Sequence, residues 1–477
     1  MPVLKLADLL IGVGPDEVYR TTSIGPVLGI PSASDFEREI TGFTVDSRKV
    51  KPGEAFFALK GETVDGTAYV PEALEKGCSV AVTQGPLDAT LPRDRHILVT
   101  SDPGTALRKL ASYWRDKHDV TVVGVTGSLG KTSVKEAIVQ ALAPLGPEHV
   151  LKTESNFNTE IGLPLELLRL SRKHTVAVLE MGMYEPGDIA LLARIAKPQV
   201  GVVTNVQANH LERTGSIERT AQGKAELVHA LPAGGLAVLN GDDKYARAMT
   251  SATRARSVMY GLGPGRDFTA RGVRGHGASG FDAVLRHGSR EVKVSCPTPG
   301  VHNAINLLPG AVVAHHLGVS WDEIGHTLSD FNLAGRSTFI PGLNGSTLLD
   351  DRYNASAPSV IADLTLLYEV PGRRLALLGD MYELGDQEEA QHRLVGQHCD
   401  RLDLLFLLGP RTGWIAESAI QAGLPADRIF KVRDNEQAIE AARETLSPGD
   451  IMLIKGSRGL HLEEVVEALS LDRSAGQ

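Results

Sequence analysis

The sequence is poor in cysteine, and its few cysteines are far apart. Cys78, Cys296 and Cys399 are the three cysteines of a 477-residue chain, and their spacing matches no metal-binding pattern. Scattered cysteines of this kind are typical of a reducing compartment, in which thiols pack instead of forming disulfides. We therefore expect no disulfide framework and no cysteine-based metal site.

Long apolar runs are missing as well. No stretch approaches the roughly 18 consecutive apolar residues that a membrane-spanning helix needs. Residues 1–11 lack the apolar segment and the cleavage site of a signal peptide. We expect a cytoplasmic protein without a membrane partner.

The chain also lacks an excess of positive charge. It has 49 basic and 58 acidic residues and a net charge of −9. This balance argues against nonspecific nucleic-acid binding over the whole surface, although a local basic pocket remains compatible with it. A composition of 42% hydrophobic and 22% charged residues is ordinary for a soluble globular protein. We expect no nucleic-acid partner.

What the sequence does contain is a glycine-rich loop at residues 124–133, GVTGSLGKTS. An apolar run at residues 120–125 precedes it and a segment with helical spacing, residues 134–142, follows it. A strand, a glycine loop and a helix in this order are the context of a phosphate-binding loop. The alternative is an ordinary glycine-rich turn, and the pattern departs from the generic one because Val125 stands where a glycine is usual.

The chemistry of a phosphate loop explains these residue types. Gly127 and Gly130 let the backbone curl so that N–H groups point at phosphate oxygens, and the helix N-terminus adds partial positive charge. Lys131 would reach the β- and γ-phosphates, and the Thr132 hydroxyl would ligate magnesium.

A chain of this length predicts about three domains. We place them at residues 1–105, 106–337 and 338–477, all of the α/β class. In the second unit, strands alternate with helices, which predicts a parallel sheet. Ligands of such sheets bind beyond the carboxyl ends of the strands.

Polar residues follow several of these predicted strands. Lys131, Glu180, His210 and Asn240 lie at or just beyond strand ends, so one cleft can collect them. Glu180 is a candidate magnesium ligand or, alternatively, a strand-end acid that caps a neighbouring helix. A lone loop histidine is more often structural, but the position of His210 after a parallel strand makes it a candidate too.

Other candidates depend on weaker signals, and structural ion pairs are the alternative for each. Asp350 and Asp351 end a strand and can bind a ribose or an amine. Arg336, at the second domain junction, can reach a γ-phosphate when the domains close. Lys224 by itself would be a solvated helix lysine. The spacing of residues 46–48 favours a capped turn with an exposed arginine.

Segments throughout the chain resemble the Mur ligase family. The segments that carry the resemblance are residues 126–136, 156–164, 180–182 with 186–187, 204–205 with 210–212, 350–355, 378–385, 455–458, 46–48 and 61–66. The resemblance implies three α/β domains: a UDP-muramoyl-binding domain, a central phosphate-loop domain and a Rossmann-like C-terminal domain. It also implies a monomer that uses ATP and Mg²⁺.

The resemblance further implies the reaction. ATP phosphorylates a peptide carboxylate to an acyl phosphate, and an amine then displaces the phosphate to form an amide. Residues 350–355, 378–385 and 455–458 are the most discriminating within the family. They imply that UDP-N-acetylmuramoyl-tripeptide and D-alanyl-D-alanine are the substrates, in peptidoglycan precursor synthesis.

Site residues follow from the same resemblance. The catalytic residues implied are Lys131, Lys224, His210 and Arg336. The ATP-binding residues implied are Gly127, Ser128, Gly130, Lys131, Thr132, Ser133, Asn303, Arg336 and Asp351. The metal ligands implied are Thr132, Glu180, His210 and Lys224, the last as a carbamate. The substrate-binding residues implied are Ser47, Arg48, Asn158, Tyr353, Asn354, Lys455, Ser457 and Arg458.

The sequence departs from the family pattern at Thr67, Thr159 and Ser356, where histidine, asparagine and asparagine are usual. These positions concern substrate fit more than ATP chemistry. Two alternatives remain: another amide ligase of this fold, such as a folylpolyglutamate-type enzyme, and a nucleotide-binding regulatory protein that does not ligate. The segment at residues 46–48 argues against the first.

Overall fold

The structure is a computed structural model that describes residues 4–471 except 23–24, 30, 62–63, 86–90, 208–210 and 334–335. Three sheets of six or more strands follow one another along the chain, so the chain forms three consecutive α/β units, as predicted. No helix in these ranges is both long and apolar enough to cross a membrane.

The first unit is built on a six-stranded sheet. The strands of this sheet are β2 (Glu17–Thr22), β3 (Gly25–Leu28), β5 (Phe43–Thr44), β6 (Ala55–Phe57), β7 (Val80–Thr83) and β8 (His96–Val99). Two short strands, β1 (Leu4–Lys5) and β4 (Glu39–Ile40), pair antiparallel in a separate two-stranded sheet. The helices of this unit are α1 (Leu6–Val13), α2 (Ala33–Phe36), α3 (Val70–Glu75) and α4 (Pro103–Asp116). The order of the six-stranded sheet is β3-β2-β8-β7-β6-β5, with β5 to β8 parallel.

The central unit contains a nine-stranded sheet. Its strands are β9 (Thr121–Thr126), β10 (Val150–Lys152), β11 (Val176–Glu180), β12 (Val200–Val203), β13 (Leu236–Asn240), β14 (Arg256–Gly261), β15 (Phe268–Gly275), β16 (Phe281–His287) and β17 (Arg290–Cys296). Its helices are α5 (Lys131–Ala141), α6 (Gly162–Leu167), α7 (Asp188–Ala196), α8 (Leu211–Thr214), α9 (Ile217–His229), α10 (Lys244–Ala248), α11 (Ala304–His316) and α12 (Trp321–Ser329).

The order of this sheet places the glycine-rich loop, which follows β9, between two parallel neighbours, β11 and β12. The order is β10-β11-β9-β12-β13-β14-β15-β16-β17, and β9 pairs in parallel with both β11 and β12. The strands β9 to β13 are almost entirely apolar because helices cover both faces. Near the end of this unit, β15, β16 and β17 pair antiparallel as two successive hairpins.

The third unit has a six-stranded sheet in the Rossmann-like manner predicted. Its strands are β18 (Thr338–Pro341), β19 (Thr347–Asp350), β20 (Arg374–Gly379), β21 (Leu404–Leu408), β22 (Ile429–Val432) and β23 (Ile451–Lys455). Its helices are α13 (Ala357–Glu369), α14 (Glu388–Gly396), α15 (Gly413–Ala422), α16 (Asn435–Thr445) and α17 (Glu463–Leu469). The order is β18-β19-β23-β20-β21-β22, parallel except for β18.

Helix α4 connects the first two units. Trp114 Nε1 donates to the carbonyl of Leu170 at 3.1 Å, and Arg115 Nε donates to the carbonyl of Ala196 at 2.9 Å. Both acceptors belong to the central unit. The boundary that we proposed between residues 105 and 106 therefore lies inside a helix that packs on both sides.

Candidate active site

The loop between β9 and α5 has the backbone geometry that its glycines predict. Gly127 has a φ of +150°, and a Cβ there would lie 1.8 Å from the Thr204 hydroxyl. Gly130 has a φ of +76° and directly precedes the first residue of α5, Lys131. Side-chain-bearing residues would be strained at both positions, so these two glycines are required by the turn itself.

The residues after β12 hold this loop. The Thr204 hydroxyl and Asn205 Nδ2 both donate to the carbonyl of Leu129, at 2.6 and 3.0 Å. Ser128 N donates in return to the carbonyl of Asn205 at 2.9 Å. Sequence reasoning gave Thr204 and Asn205 no separate role. The sequence did contain a signal for such a role, because these two polar residues directly follow an apolar strand next to the one that leads into the loop.

Positive charges converge on the loop. Lys131 Nζ donates to the carbonyls of Gly127 and Ser128, at 2.9 and 3.2 Å. Burial and the Arg336 guanidinium lower the pKa of Lys131. Burial and the Lys131 ammonium hold the pKa of Lys224 well below its ordinary value. Because an anion relieves the repulsion between the Lys131 and Arg336 cations, this pair fits the phosphates of ATP.

Oxygen ligands for a cation lie beside the loop. The Thr132 hydroxyl donates to Glu180 Oε2 at 3.0 Å, and Asn158 Nδ2 donates to Glu180 Oε1 at 2.8 Å. Among the described residues, no group of three or more His, Cys, Asp or Glu is suited to a metal. Mg²⁺ commonly takes one or two protein carboxylates and completes its shell with phosphate and water, so Thr132 and Glu180 fit it. His210, a predicted ligand, lies outside the described residues.

A cavity of about 660 Å³ extends from the phosphate loop to the third unit. The predicted site residues that line it are Ser128, Gly130, Lys131, Thr132, Ser133, Asn158, Glu180, Asn303, Arg336, Asp351, Tyr353, Asn354, Lys455, Ser457 and Arg458. Most of the candidates that the sequence scatters over three units are thus brought together at one interface between the second and third. Asn303 contacts Pro299 O and Asn306 within the central unit.

The wall of the cavity in the third unit carries a charged cluster. Lys455 forms buried ion pairs with Asp351 and Asp363. The Oδ1 atom of Asp351 is buried and has no hydrogen-bond partner within the described part of the chain. An orphaned acceptor in a cavity fits a ligand donor such as a ribose hydroxyl, and the nucleotide role of Asp351 stays a prediction.

The first unit presents Ser47 and Arg48 in a capped turn. The Asp46 carboxylate accepts from Arg48 N, Nε and Nη2 at 3.1, 2.8 and 2.8 Å, which lowers the pKa of Asp46 to about 2. The Ser47 hydroxyl donates to Glu72 at 3.2 Å. These contacts are those of the capped turn, and a substrate role for Ser47 and Arg48 stays a prediction.

Sequence reasoning missed other residues that line the cavity, among them Ser337, Asp363, His302 and Tyr382. Asp363 could have been found. It follows Val360 by three residues and precedes Leu367 by four, so it lies on the apolar face of a helix. A carboxylate on such a face predicts a buried partner. His302 and Tyr382 carry no comparable local signal.

A phosphate loop at the carboxyl end of a parallel sheet, facing a second α/β unit across a shared cavity, defines a nucleotide-dependent enzyme that works between domains. Family models match three parts of the chain: the Mur ligase family catalytic domain at residues 39–114, the Mur ligase middle domain at 125–314 and the Mur ligase glutamate ligase domain at 335–458. The chain belongs to the Mur ligase family.

Individual relatives cover nearly the whole chain. It is 37% identical to the UDP-N-acetylmuramoyl-tripeptide–D-alanyl-D-alanine ligase of Synechocystis, over 94% of this chain and 96% of that protein. The crystal structure of MurF from Acinetobacter baumannii is similar with a TM-score of 0.84 and 27% identity, covering 98% and 99% of the two chains. MurF ligase from Thermotoga maritima in complex with ADP has a TM-score of 0.77 and 30% identity, covering 90% and 96%.

Proposed function

We propose that this chain joins D-alanyl-D-alanine to UDP-N-acetylmuramoyl-tripeptide with ATP, in peptidoglycan precursor synthesis. The observation that carries this proposal is the shared cavity, in which the phosphate loop faces residues 351–354 and 455–458 of the third unit. Those third-unit segments are the ones that resemble this ligase more than other members of the family. The relative from Synechocystis is named for the same reaction. ATP and a UDP-linked peptide are the nucleotide-containing substrates of this reaction. We further propose that the enzyme is cytoplasmic and that it is a monomer.

The chemistry explains why two units are needed. A carboxylate is a poor electrophile, and ATP with Mg²⁺ supplies a phosphoryl group that turns it into an acyl phosphate. Lys131 from the loop and Arg336 from the junction neutralise charge at the phosphoryl group. Thr132 and Glu180 would hold one Mg²⁺ ion, and Lys224, as a carbamate, would share a second Mg²⁺ with His210. Closure of the cavity walls around the substrates would exclude water, which would otherwise hydrolyse the activated carboxylate.

Substrate recognition is divided between the first and third units. We assign the UDP-muramoyl end to the first unit, with Ser47 and Arg48, and the incoming amine to the third. The unusual residues are already engaged: Thr67 Oγ1 accepts from Thr83 Oγ1 at 3.2 Å, and Thr159 Oγ1 accepts from Gly162 N at 3.3 Å. Each of these two hydroxyls is thus an acceptor for a neighbouring residue and keeps its own O–H as a donor.

An ATP-dependent ligation assay read by mass tests the proposal. UDP-muramoyl peptides and dipeptide amines are combined in turn, a folate with glutamate is run in parallel, and product and phosphate are measured. We expect product only with a tripeptide and D-alanyl-D-alanine, and phosphate release only when both are present. Ligation of glutamate to a folate would favour the folylpolyglutamate-type alternative. Nucleotide binding without any ligation would favour the regulatory one.

A further inference from the structure

The junction between the second and third units contains a residue in an unusual conformation. Ser337 has a φ of +45°, in the left-handed region that side-chain-bearing residues rarely adopt. The residue is also buried, with 6% of its surface exposed. A strained conformation of this kind persists only when surrounding contacts hold it.

Asp363 provides such a contact. The Ser337 hydroxyl donates to Asp363 Oδ1 at 2.7 Å, in a buried position. The other carboxylate oxygen of Asp363 lies 2.9 Å from Lys455 Nζ, and Lys455 pairs in turn with Asp351. The two oxygens of the Asp363 carboxylate on α13 therefore have different partners, Ser337 for Oδ1 and Lys455 for Oδ2.

The neighbour of Ser337 in the chain is Arg336. Its guanidinium lies over the Tyr353 ring at 4.3 Å and is close enough to Lys131 to lower the pKa of that ammonium. The backbone torsions of Ser337 set the direction in which the chain passes from Arg336 into β18. A change of those torsions would move Arg336 relative to the third unit.

We propose that Asp363 is a positioning residue, which holds Ser337 in the left-handed conformation and so aims the Arg336 guanidinium at the phosphate loop. The role of Arg336 in this statement rests on the proposed function. The alternative is that Asp363 serves only to form its ion pair with Lys455. In that case, loss of the Ser337 hydroxyl would not change the junction.

Kinetics of Ser337 and Asp363 variants test the proposal in the full-length chain. We expect Ser337→Ala to lower kcat about tenfold, the effect of one lost hydrogen bond to a charged group, with KM for the UDP-linked substrate unchanged. Ser337→Gly should stay within about threefold of the wild type, since glycine adopts positive φ without strain. Asp363→Ala should lower kcat as well, and adding Ser337→Ala to it should change nothing further.

Ser346→Ala is the matched control. Ser346 is buried in the same unit and its hydroxyl donates to the carbonyl of Leu343 at 2.7 Å, away from the cavity. It should keep wild-type kcat. The proposal is overturned if Ser337→Ala matches this control, or if the effects of Ser337→Ala and Asp363→Ala multiply.

Limited trypsin digestion of the ligand-free chain gives a readout that needs no activity. Trypsin cleaves after Arg336, and we expect that cut to be at least about fivefold faster in Ser337→Ala and Asp363→Ala, because opening of the junction is no longer opposed. Cleavage after the exposed Arg254 should not change. Equal rates at Arg336 in all variants would overturn the proposal. A wild-type chain that fails to ligate would refute the proposed function, while the digestion would still decide whether Asp363 holds the junction.

Discussion

The Arg336 guanidinium lies over the ring of Tyr353, 4.3 Å from its centroid. Arg336 belongs to the junction, whereas Tyr353 follows β19 of the third unit. Arg458, from the loop after β23, lies 5.1 Å from the same ring, and its Nη1 donates to the Tyr353 hydroxyl at 3.1 Å. Tyr353 thus connects the junction with a loop predicted to bind substrate.

Removal of the Tyr353 ring should affect turnover more than removal of its hydroxyl. A cation over an aromatic face contributes about 0.5–2 kcal/mol, so Tyr353→Leu should lower kcat about tenfold. Tyr353→Phe retains both ring contacts and should stay within about threefold. Steady-state kinetics with saturating substrates measure the difference. Equal kcat values for the two variants would show that the ring contacts do not matter for turnover.

Lys131→Ala should abolish measurable turnover and leave the fold intact. The variant loses hydrogen bonds to the carbonyls of Gly127 and Ser128, a small cost to a large core, but it also loses the charge that neutralises the phosphoryl group. Loss of such a group costs about 10²–10³ in kcat or more. Product formation and circular dichroism are compared with those of a control variant, Lys117→Ala. Lys117 is an exposed lysine that follows α4 and does not line the cavity. Near-normal product formation by Lys131→Ala would refute the assignment of the ATP site.

Lys224 should carry a carbamate. The reaction with CO₂ needs a neutral amine, and the buried position of Lys224 beside Lys131 lowers its pKa in that direction. We expect a carbon-13 carbamate signal under labelled bicarbonate, absent in Lys224→Ala, together with severe loss of activity in that variant. Full activity of Lys224→Ala in bicarbonate-free buffer would exclude the role.

The third unit should close on the second when nucleotide binds. The cavity has walls from both units, and a reactive acyl phosphate must be kept from water. Small-angle scattering should show a smaller radius of gyration with a nonhydrolysable ATP analogue, alone or with the UDP-linked peptide. An unchanged radius under every ligand combination would contradict closure.

The first unit should lose stability in mild acid because of His96. Both ring nitrogens are buried and have no hydrogen-bond partner in the described ranges, although Asp35 Oδ2 lies 3.8 Å from Nε2. Burial lowers the pKa of His96 to about 4, whereas the unfolded chain has a pKa of about 6.5. The unfolded state therefore binds the proton first, and stability falls as pH decreases from about 6.5 to 4, by up to about 3 kcal/mol.

His96→Leu provides the comparison for this effect. The urea midpoint of each protein is measured by circular dichroism at several pH values, and the difference between them is plotted. The wild type should lose stability relative to His96→Leu across that window. Parallel curves would mean that His96 accepts a proton equally well in the folded and unfolded states.

Local pattern was enough to predict the phosphate loop and the sheet around it. The predicted strand at residues 120–125 differs from β9 by a single residue at each end, because a continuous apolar run between turn residues has few other solutions. The first domain boundary was harder to place. Helix α4 packs against both the first and the central unit. The spacing of its apolar residues predicts that the helix has a buried face, but it does not predict which unit that face contacts.

The site shows the same division between sequence and structure. The phosphate-loop residues lie within six consecutive positions, 127–132. Their chemistry therefore follows from sequence spacing alone. The contacts of Asp363 with Ser337 and Lys455 join residues 26 positions or more apart. Such pairs depend on how the third unit is oriented on the junction, and only long-range packing decides that. The sequence by itself determined the loop and its chemistry, and the tertiary structure determined which distant charges the loop faces.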